Sequence, residues 1–317
     1  MAKCFGTTIA ARAEVRVYSH PDCLQHDPGA GHPEAPARLA AVLQALRAGL
    51  PHLQWMEAPL ASNEQVARVH SEEVIFQVLA KPPGDCVRID ADTVLSQGSA
   101  AAALRASGAG VAAVDAVMSG KIDRAFCAVR PPGHHATARA AMGFCLFNHI
   151  AVAAAHALAE HGLQRVAIVD FDVHHGNGTQ DIFEREPRVL YVSSHQSPLY
   201  PGTGASDETG VGNVVNAPLP PGAGSVVFRS AWRERLLPAL DAFAPELVLV
   251  SAGFDGHRLD PLADLGLVAE DFTWLSTRLA ELSVRHSGGR IVSFLEGGYS
   301  LTALRECSVA HLKGLGA

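Results

Sequence analysis

Asp172 and His174 stand two residues apart directly behind an apolar run, so on extended backbone their side chains share one face. A carboxylate and an imidazole at that spacing can hold a divalent cation, and Asp255, behind another apolar run, supplies a third ligand. Three such ligands leave one position free for water or substrate, the open arrangement of a hydrolytic metal site. Alone, Asp-x-His is just as well the salt-bridged end of a strand, and Asp255 says less still. The tandem His134-His135 behind Arg130-Pro-Pro-Gly133 adds two acid/base groups on a loop whose glycine lets backbone approach a ligand closely. Its plain alternative is a pair of structural histidines capping loop carbonyls.

Elements must bring these residues together. Apolar runs at 125–129, 165–170, 188–193, 247–251 and 290–295 alternate with helical patterns at 99–118, 148–161, 176–184, 225–241 and 269–286. The runs are apolar nearly throughout, which suits strands covered on both faces of a parallel sheet. Positions Phe272, Leu275, Leu279 and Leu282 keep the period of the last helix. The alternation predicts right-handed crossovers and a doubly wound α/β layer structure. Ligands of such sheets bind beyond the carboxyl ends of the strands. There the chain places Arg130–His135, Asp172–His175, Ser194 with His195 and later Tyr200, Asp255, and Glu296-Gly-Gly-Tyr299. Five strands thus point titratable or aromatic residues at one edge. The Pro/Gly-rich stretches at 82–84, 198–204 and 216–224 are short enough to be loops, so residues 14–317 read as one catalytic domain behind a tail of 1–13.

The 317 residues are 48% apolar and 18% charged, with a formal charge of −7, an ordinary globular balance. No basic stripe exists to neutralise phosphates, which argues against nucleic acid as a partner. The scattered cysteines, Cys4, Cys23, Cys86, Cys127, Cys145 and Cys307, contain no CxxC pair and read as reduced thiols. Residues 1–13 lack a signal-peptide pattern and the Ala-rich stretch at 150–159 is too short for a bilayer, so the expectation is a cytoplasmic protein with no membrane partner. The Gly-rich run at 202–212 lacks a Walker lysine and reads as turns. His20, Cys23, His26 and His32 fit no zinc spacing well.

Arg130-Pro-Pro-Gly-His-His-Ala136, Gly143-Phe-Cys145, Asp170-Phe-Asp-Val-His-His-Gly-Asn-Gly-Thr179, Ser251-Ala-Gly-Phe-Asp255 and Glu296-Gly-Gly-Tyr299 together resemble the histone deacetylase family. Gly31-His-Pro-Glu34-x-Pro36-x-Arg38 agrees, so the likeness covers nearly the whole chain. Asn177 and the loop lengths look like the class II branch and its bacterial deacetylase-like and acetylpolyamine amidohydrolase-like relatives. The resemblance implies the arginase/deacetylase fold, one eight-stranded parallel sheet between helices. It implies one Zn²⁺, or Fe²⁺ in its place, on Asp172, His174 and Asp255. His135 would be the general base with Asn177 as its partner, His134 would lie beside it paired to Asp170, and Tyr299 would donate to the developing oxyanion. Two anionic ligands acidify a metal-held water less than a tri-histidine site does, which is why a separate base is needed. Gly143, Phe144, Tyr200, Leu262 and Gly298 would line a narrow acyl-lysine channel, with Asp90 or Asp92 at its rim and Arg38 near an internal acetate cavity. A structural K⁺ would use Asp170, Asp172, His174, Ser193 and Ser194, largely through backbone oxygens.

The implied reaction is hydrolysis of an acylated, above all acetylated, lysine in a peptide or protein, or of a related small acyl-amine. An acetylpolyamine is the alternative. It is weakened because Leu262 stands where the polyamine-selective animal relative has glutamate, and because no long insertion lies between His70 and Ser99. Arginase-like ureohydrolases share the fold but hold two manganese ions. Here Gly176 and Gly253 stand where their motifs need aspartate. A silent acyl-amine binding module is the reading of another class, opposed by the presence of all the ligands, both histidines and Tyr299.

Overall fold

The computed structural model describes residues 14–80, 82, 84 and 86–317; the expected tail of 1–13 lies outside them. Ten strands are present among the described residues: β1 Val15–Ser19, β2 Gln54–Glu57, β3 Cys86–Arg88, β4 Val94–Ser96, β5 Arg124–Cys127, β6 Val166–Asp170, β7 Val189–Gln196, β8 Val214–Leu219, β9 Leu247–Ala252 and β10 Ile291–Leu295. Eight form one sheet in the order β2-β1-β5-β10-β9-β6-β7-β8, every neighbouring pair parallel. β3 and β4 make a separate antiparallel pair.

The five uninterrupted apolar runs are β5, β6, β7, β9 and β10, buried along their whole length. Helices cover both faces, so these strands have no wet side on which to alternate. The three sheet strands without such a run are β1 and the two at the edges. β2 is mostly exposed, and β8 is broken by partly exposed positions, so neither carries the signal of a covered strand.

Helix Ala269–His286 keeps its expected bounds, and its apolar stripe packs on Leu301–Gly314. Ser99–Met118 is long and apolar enough by composition to cross a membrane, yet here it is a mostly buried core helix against His149–Glu160. The helix expected over 225–241 is three pieces: Ser225–Ala231, a π turn Trp232–Leu236, and Leu237–Phe243. Pro238 has no N–H to continue the i→i−4 ladder, and the N–H of Leu237 reaches back five residues to the Trp232 carbonyl. The widened turn carries buried Trp232, whose indole N–H donates to Ser194 Oγ at 3.1 Å. The main apolar core fills the space between sheet and helices, and a smaller one is formed by residues such as Val66, Val74, Leu95, Leu146 and Phe147.

Candidate active site

Asp170 ends β6, and the two residues that matter next leave the sheet on the turn behind it. Asp172 and Asp255 are 0% exposed and His174 is 9% exposed. His174 Nδ1 lies 3.2 Å from both Asp172 Oδ1 and Asp255 Oδ2, and the ligand atoms of all three lie within 4.8 Å of one another. Backbone N–H groups orient the carboxylates: Val173 donates to Asp255 Oδ1, Gly297 to Asp172 Oδ2 and His174 to Asp172 Oδ1, at 2.8–2.9 Å. Burial, then the Asp172 charge, pushes the Asp255 carboxyl up to about 7. Two buried carboxylates facing one imidazole are costly unless a cation sits among them, and this nitrogen-and-oxygen set suits Zn²⁺ or Fe²⁺. A Cβ at Gly176 would meet Asp170 Oδ2 at 2.2 Å, and one at Gly253 would meet Asp172 Oδ2 at 2.0 Å. The aspartates of a two-metal enzyme therefore have no room here.

The loop behind β5 brings the two imidazoles over this triangle, ring centroids 4.0 Å apart. His134 Nδ1 sits 3.0 Å from Asp170 Oδ2, and His135 Nδ1 sits 2.8 Å from Asn177 Oδ1. Because the amide oxygen only accepts, His135 carries its proton on Nδ1 and keeps a lone pair on Nε2. The two rings hold different charge. Burial opposes protonation of His134, but the Asp172 and Asp170 carboxylates overcome it and raise its pKa to about 10. Burial lowers His135 well below the ordinary imidazole value, and the charges on His134 and His174 lower it further.

A cavity of about 220 Å³ opens above them, lined by Asp92, His135, Gly143, Phe144, His174, Leu199, Tyr200, Leu262 and Tyr299. Tyr200 packs edge-on to His135 at 5.1 Å, and Phe144 edge-on to Tyr299 at 5.8 Å. Phe144 keeps a left-handed φ of +67°, unusual for a bulky residue, while its N–H donates to Thr93 Oγ1. Gly143 precedes it at φ +57°, and a Cβ there would strike His135 Cδ2 at 2.7 Å. Burial, and then the negative charges of Asp255 and Asp172 against the opposing Arg38, raise the Tyr299 hydroxyl well above the usual phenol value, so it stays a proton donor.

Gly298 is not among the residues lining this cavity; its carbonyl accepts from Arg38 Nε at 2.5 Å. Arg38, the residue expected near an acetate cavity, is 1% exposed, and its three donors reach Gly298 O, Glu296 O and Glu34 Oε1, so it also fastens the Glu296–Tyr299 turn. Of the expected potassium set, β6 and β7 pair Asp170 with Ser193. The side chain of Ser193 is engaged by His195 at 2.9 Å and that of Ser194 by Trp232, leaving backbone oxygens for any ion. Asp90 Oδ1 accepts from the N–H groups of Asp92 and Thr93, and Asp92 alone of the two lines the cavity.

Sequence reasoning missed the supports. Buried Glu296 accepts from the N–H of Gly133 and His134 and from Ser251 Oγ, tying three strand ends together. Tyr191 donates to Asp170 Oδ2 at 3.0 Å, and Asp260 accepts the Tyr299 N–H at 2.7 Å. Glu296 stood inside a quoted motif, so its position carried a signal; Tyr191 looked like one more apolar strand residue. The quartet His20, Cys23, His26 and His32 forms no ligand group: His26 pairs with Ser99 and Glu34, and His32 with the Asp92 carbonyl. A second ligand-type trio, Asp115, His156 and His161, has both Nε2 atoms 2.8 Å from Asp115 Oδ1. Arg68 donates to His156 Nδ1, so Nε2 carries the proton and the trio is a hydrogen-bonded tie between two helices.

Residues 32–315 match the histone deacetylase domain family. A histone deacetylase-like amidohydrolase of Pseudomonas aeruginosa is 40% identical over 303 residues, 92% of this chain and 79% of that one. The polyamine deacetylase HDAC10 of Homo sapiens is 41% identical over 291 residues, 86% of this chain and 43% of that protein. The crystal structure of the HDA15 HD domain superposes with a TM-score of 0.91 at 36% identity, over 96% of this chain and 88% of that one. A match that runs nearly end to end, onto a sheet whose strand ends gather the carboxylates, imidazoles and phenol described above, makes this chain a member of the histone deacetylase family of hydrolases.

Proposed function

We propose that the chain is a zinc-dependent deacylase that hydrolyses the amide of an acylated, chiefly acetylated, lysine to free amine and carboxylate. The observation that carries this is the Asp172–His174–Asp255 triangle beside one charged and one neutral imidazole, at the floor of an aromatic-walled cavity. Held by those three residues, Zn²⁺ supplies Lewis acidity toward the amide carbonyl and the attacking water. His135 Nε2 takes the water's proton, and Asn177 keeps the ring in the tautomer that leaves Nε2 free. The same nitrogen returns the proton to the leaving amine. His134, held charged by Asp172 and Asp170, offsets the negative charge that develops on the carbonyl oxygen as water adds, and Tyr299 donates to that oxyanion from the cavity side. Phe144 and Tyr200 sandwich the alkyl stem and exclude water. We assign the potassium role to backbone oxygens around Asp170, Asp172, His174, Ser193 and Ser194.

An acetylpolyamine is the second reading, favoured by the likeness to the human polyamine deacetylase and by Asp92 in the cavity wall. Apolar Leu262 at that wall offers a polyamine's further ammonium nothing, which favours acyl-lysine. The test is a panel of acetyl-lysine peptides, longer acyl-lysines and acetylpolyamines, run with chelator and with metal added back. Chelator-sensitive turnover that follows zinc, highest on acyl-lysine, is expected. Turnover indifferent to metal removal ends the zinc reading, and preference for acetylpolyamines reverses the order of substrates.

A further inference from the structure

Tyr299 sits on a turn whose backbone is fastened from below by one arginine. Arg38 Nε and Nη2 donate to the carbonyls of Gly298 and Glu296, both at 2.5 Å, and its guanidinium carbon lies 4.8 Å from the centre of the Tyr299 ring. Between those carbonyls, the Gly297 N–H donates to Asp172 Oδ2. The orientation of the phenol and one contact of the metal triangle therefore hang on the same guanidinium.

Arg38 is in turn aimed by an anion. Glu34, 0% exposed, receives Arg38 Nη1 on Oε1 at 2.9 Å. Arg130, also 0% exposed, reaches both oxygens of the same carboxylate, with Nη2 to Oε2 at 2.6 Å, and His26 Nε2 lies 3.3 Å from Oε2. Arg130 further donates to the carbonyls of Cys23, His26 and Glu34, which pins the segment that carries Glu34. Among the described residues, Glu34 is the carboxylate that pairs with Arg38 and with Arg130. Burying one carboxylate between two guanidiniums is a poor way to gain stability, since well-packed apolar side chains commonly do as well or better. What such a cluster does supply is a fixed position for the groups bonded to it.

Resting on the deacylase reading above, we propose that Glu34 is a positioning residue for the reaction, setting the Tyr299 phenol through Arg38. Glu34 touches neither substrate nor metal ligands in this arrangement; it aims the guanidinium that holds the turn. A displacement of about 1 Å at a reacting group is enough to cost roughly a hundredfold in rate.

The experiment is a double-mutant cycle of Glu34→Gln and Tyr299→Phe on an acetyl-lysine peptide, with zinc content and circular dichroism measured for each protein. Glu34→Gln alone lowers kcat on the order of 30- to 100-fold with KM within about threefold and zinc near one per chain. On the Tyr299→Phe background the same change costs less than about threefold, because the phenol it positions is already gone. A merely structural role gives the full loss on both backgrounds, and that result, or a Glu34→Gln enzyme within about threefold of wild type, overturns the proposal. Glu34→Asp keeps the charge in the core and carries the same cycle where the glutamine variant does not fold. A crystal structure of the variant gives a readout that needs no turnover. The Tyr299 hydroxyl moves by about 1 Å or more, and an unmoved turn overturns the proposal even if the substrate assignment is wrong.

Discussion

His134 and His135 differ in charge because His134 faces the Asp172 and Asp170 carboxylates, whereas His135 is buried beside two cationic rings and bonds only a neutral amide. Asn177→Ala removes the orientation without touching the metal triangle, so kcat falls about 10- to 100-fold while zinc content stays near one. Steady-state kinetics with elemental analysis checks it. If the proposed mechanism holds, Tyr299→Phe removes the oxyanion donor alone and lowers kcat about a hundred- to a thousandfold, some 3–4 kcal/mol, with zinc content unchanged. Near-normal rates in that variant remove the role. Leu262→Glu adds a carboxylate to the cavity wall, and the ratio of kcat/KM for acetylpolyamine over acetyl-lysine rises about tenfold, the worth of one added ionic contact of roughly 1–2 kcal/mol. That these residues would gather was legible because the residue types are rare at such spacings. Tyr191 and Asp260 were not legible, because a tyrosine in an apolar strand and an aspartate in a loop look ordinary until the partner's distance is known.

At the level of elements, covered strands announced themselves and edges did not. β5, β6, β7, β9 and β10 are apolar because helices lie on both sides, whereas β2 and β8 pair on one side only and keep polar positions. The full strand count came from the family likeness, not from periodicity. The break at Trp232 was hidden for a similar reason: the helical period survives across a π turn, and only Pro238 hinted at the interruption. One loop permits a sharp test. Gly143 lies at φ +57° with the His135 ring in the space of its missing Cβ. Gly143→Ala strains the backbone and pushes the base aside, so kcat drops at least about tenfold while thermal stability falls by about 1–3 kcal/mol. Differential scanning calorimetry and kinetics on one preparation check both.

For the molecule as a whole, acid is the vulnerable direction. His70, His149 and His311 are buried neutral, and burial lowers them to about 4, 3 and 3. In the unfolded chain each binds a proton below about 6.5, so between that pH and the folded values the unfolded state holds more protons and stability falls as pH falls. At pH 5 the three together forfeit about 6 kcal/mol, comparable to the whole stability of an ordinary domain. Loss of stability is therefore expected as pH falls below about 6.5, and His311→Gln shifts the acid transition lower. A circular dichroism titration that stays flat to pH 4 contradicts this. His311 lies far from the imidazole pair in the chain and bonds Ser276 and Ser293, so its substitution tests the core.

The place of β10 in the sheet has a consequence for how the protein is made. It is the tenth strand along the chain yet sits fifth from the far edge, wedged between β5 and β9, which do not touch each other. Until residues 291–295 have left the ribosome, the sheet is two separate blocks with raw flanks and a slot between them. The phenol and the turn that braces the metal triangle ride on the piece that fills the slot. A chain lacking that strand holds parts of the machinery but cannot close it, and the unpaired edges of β5 and β9 are then open to mispairing.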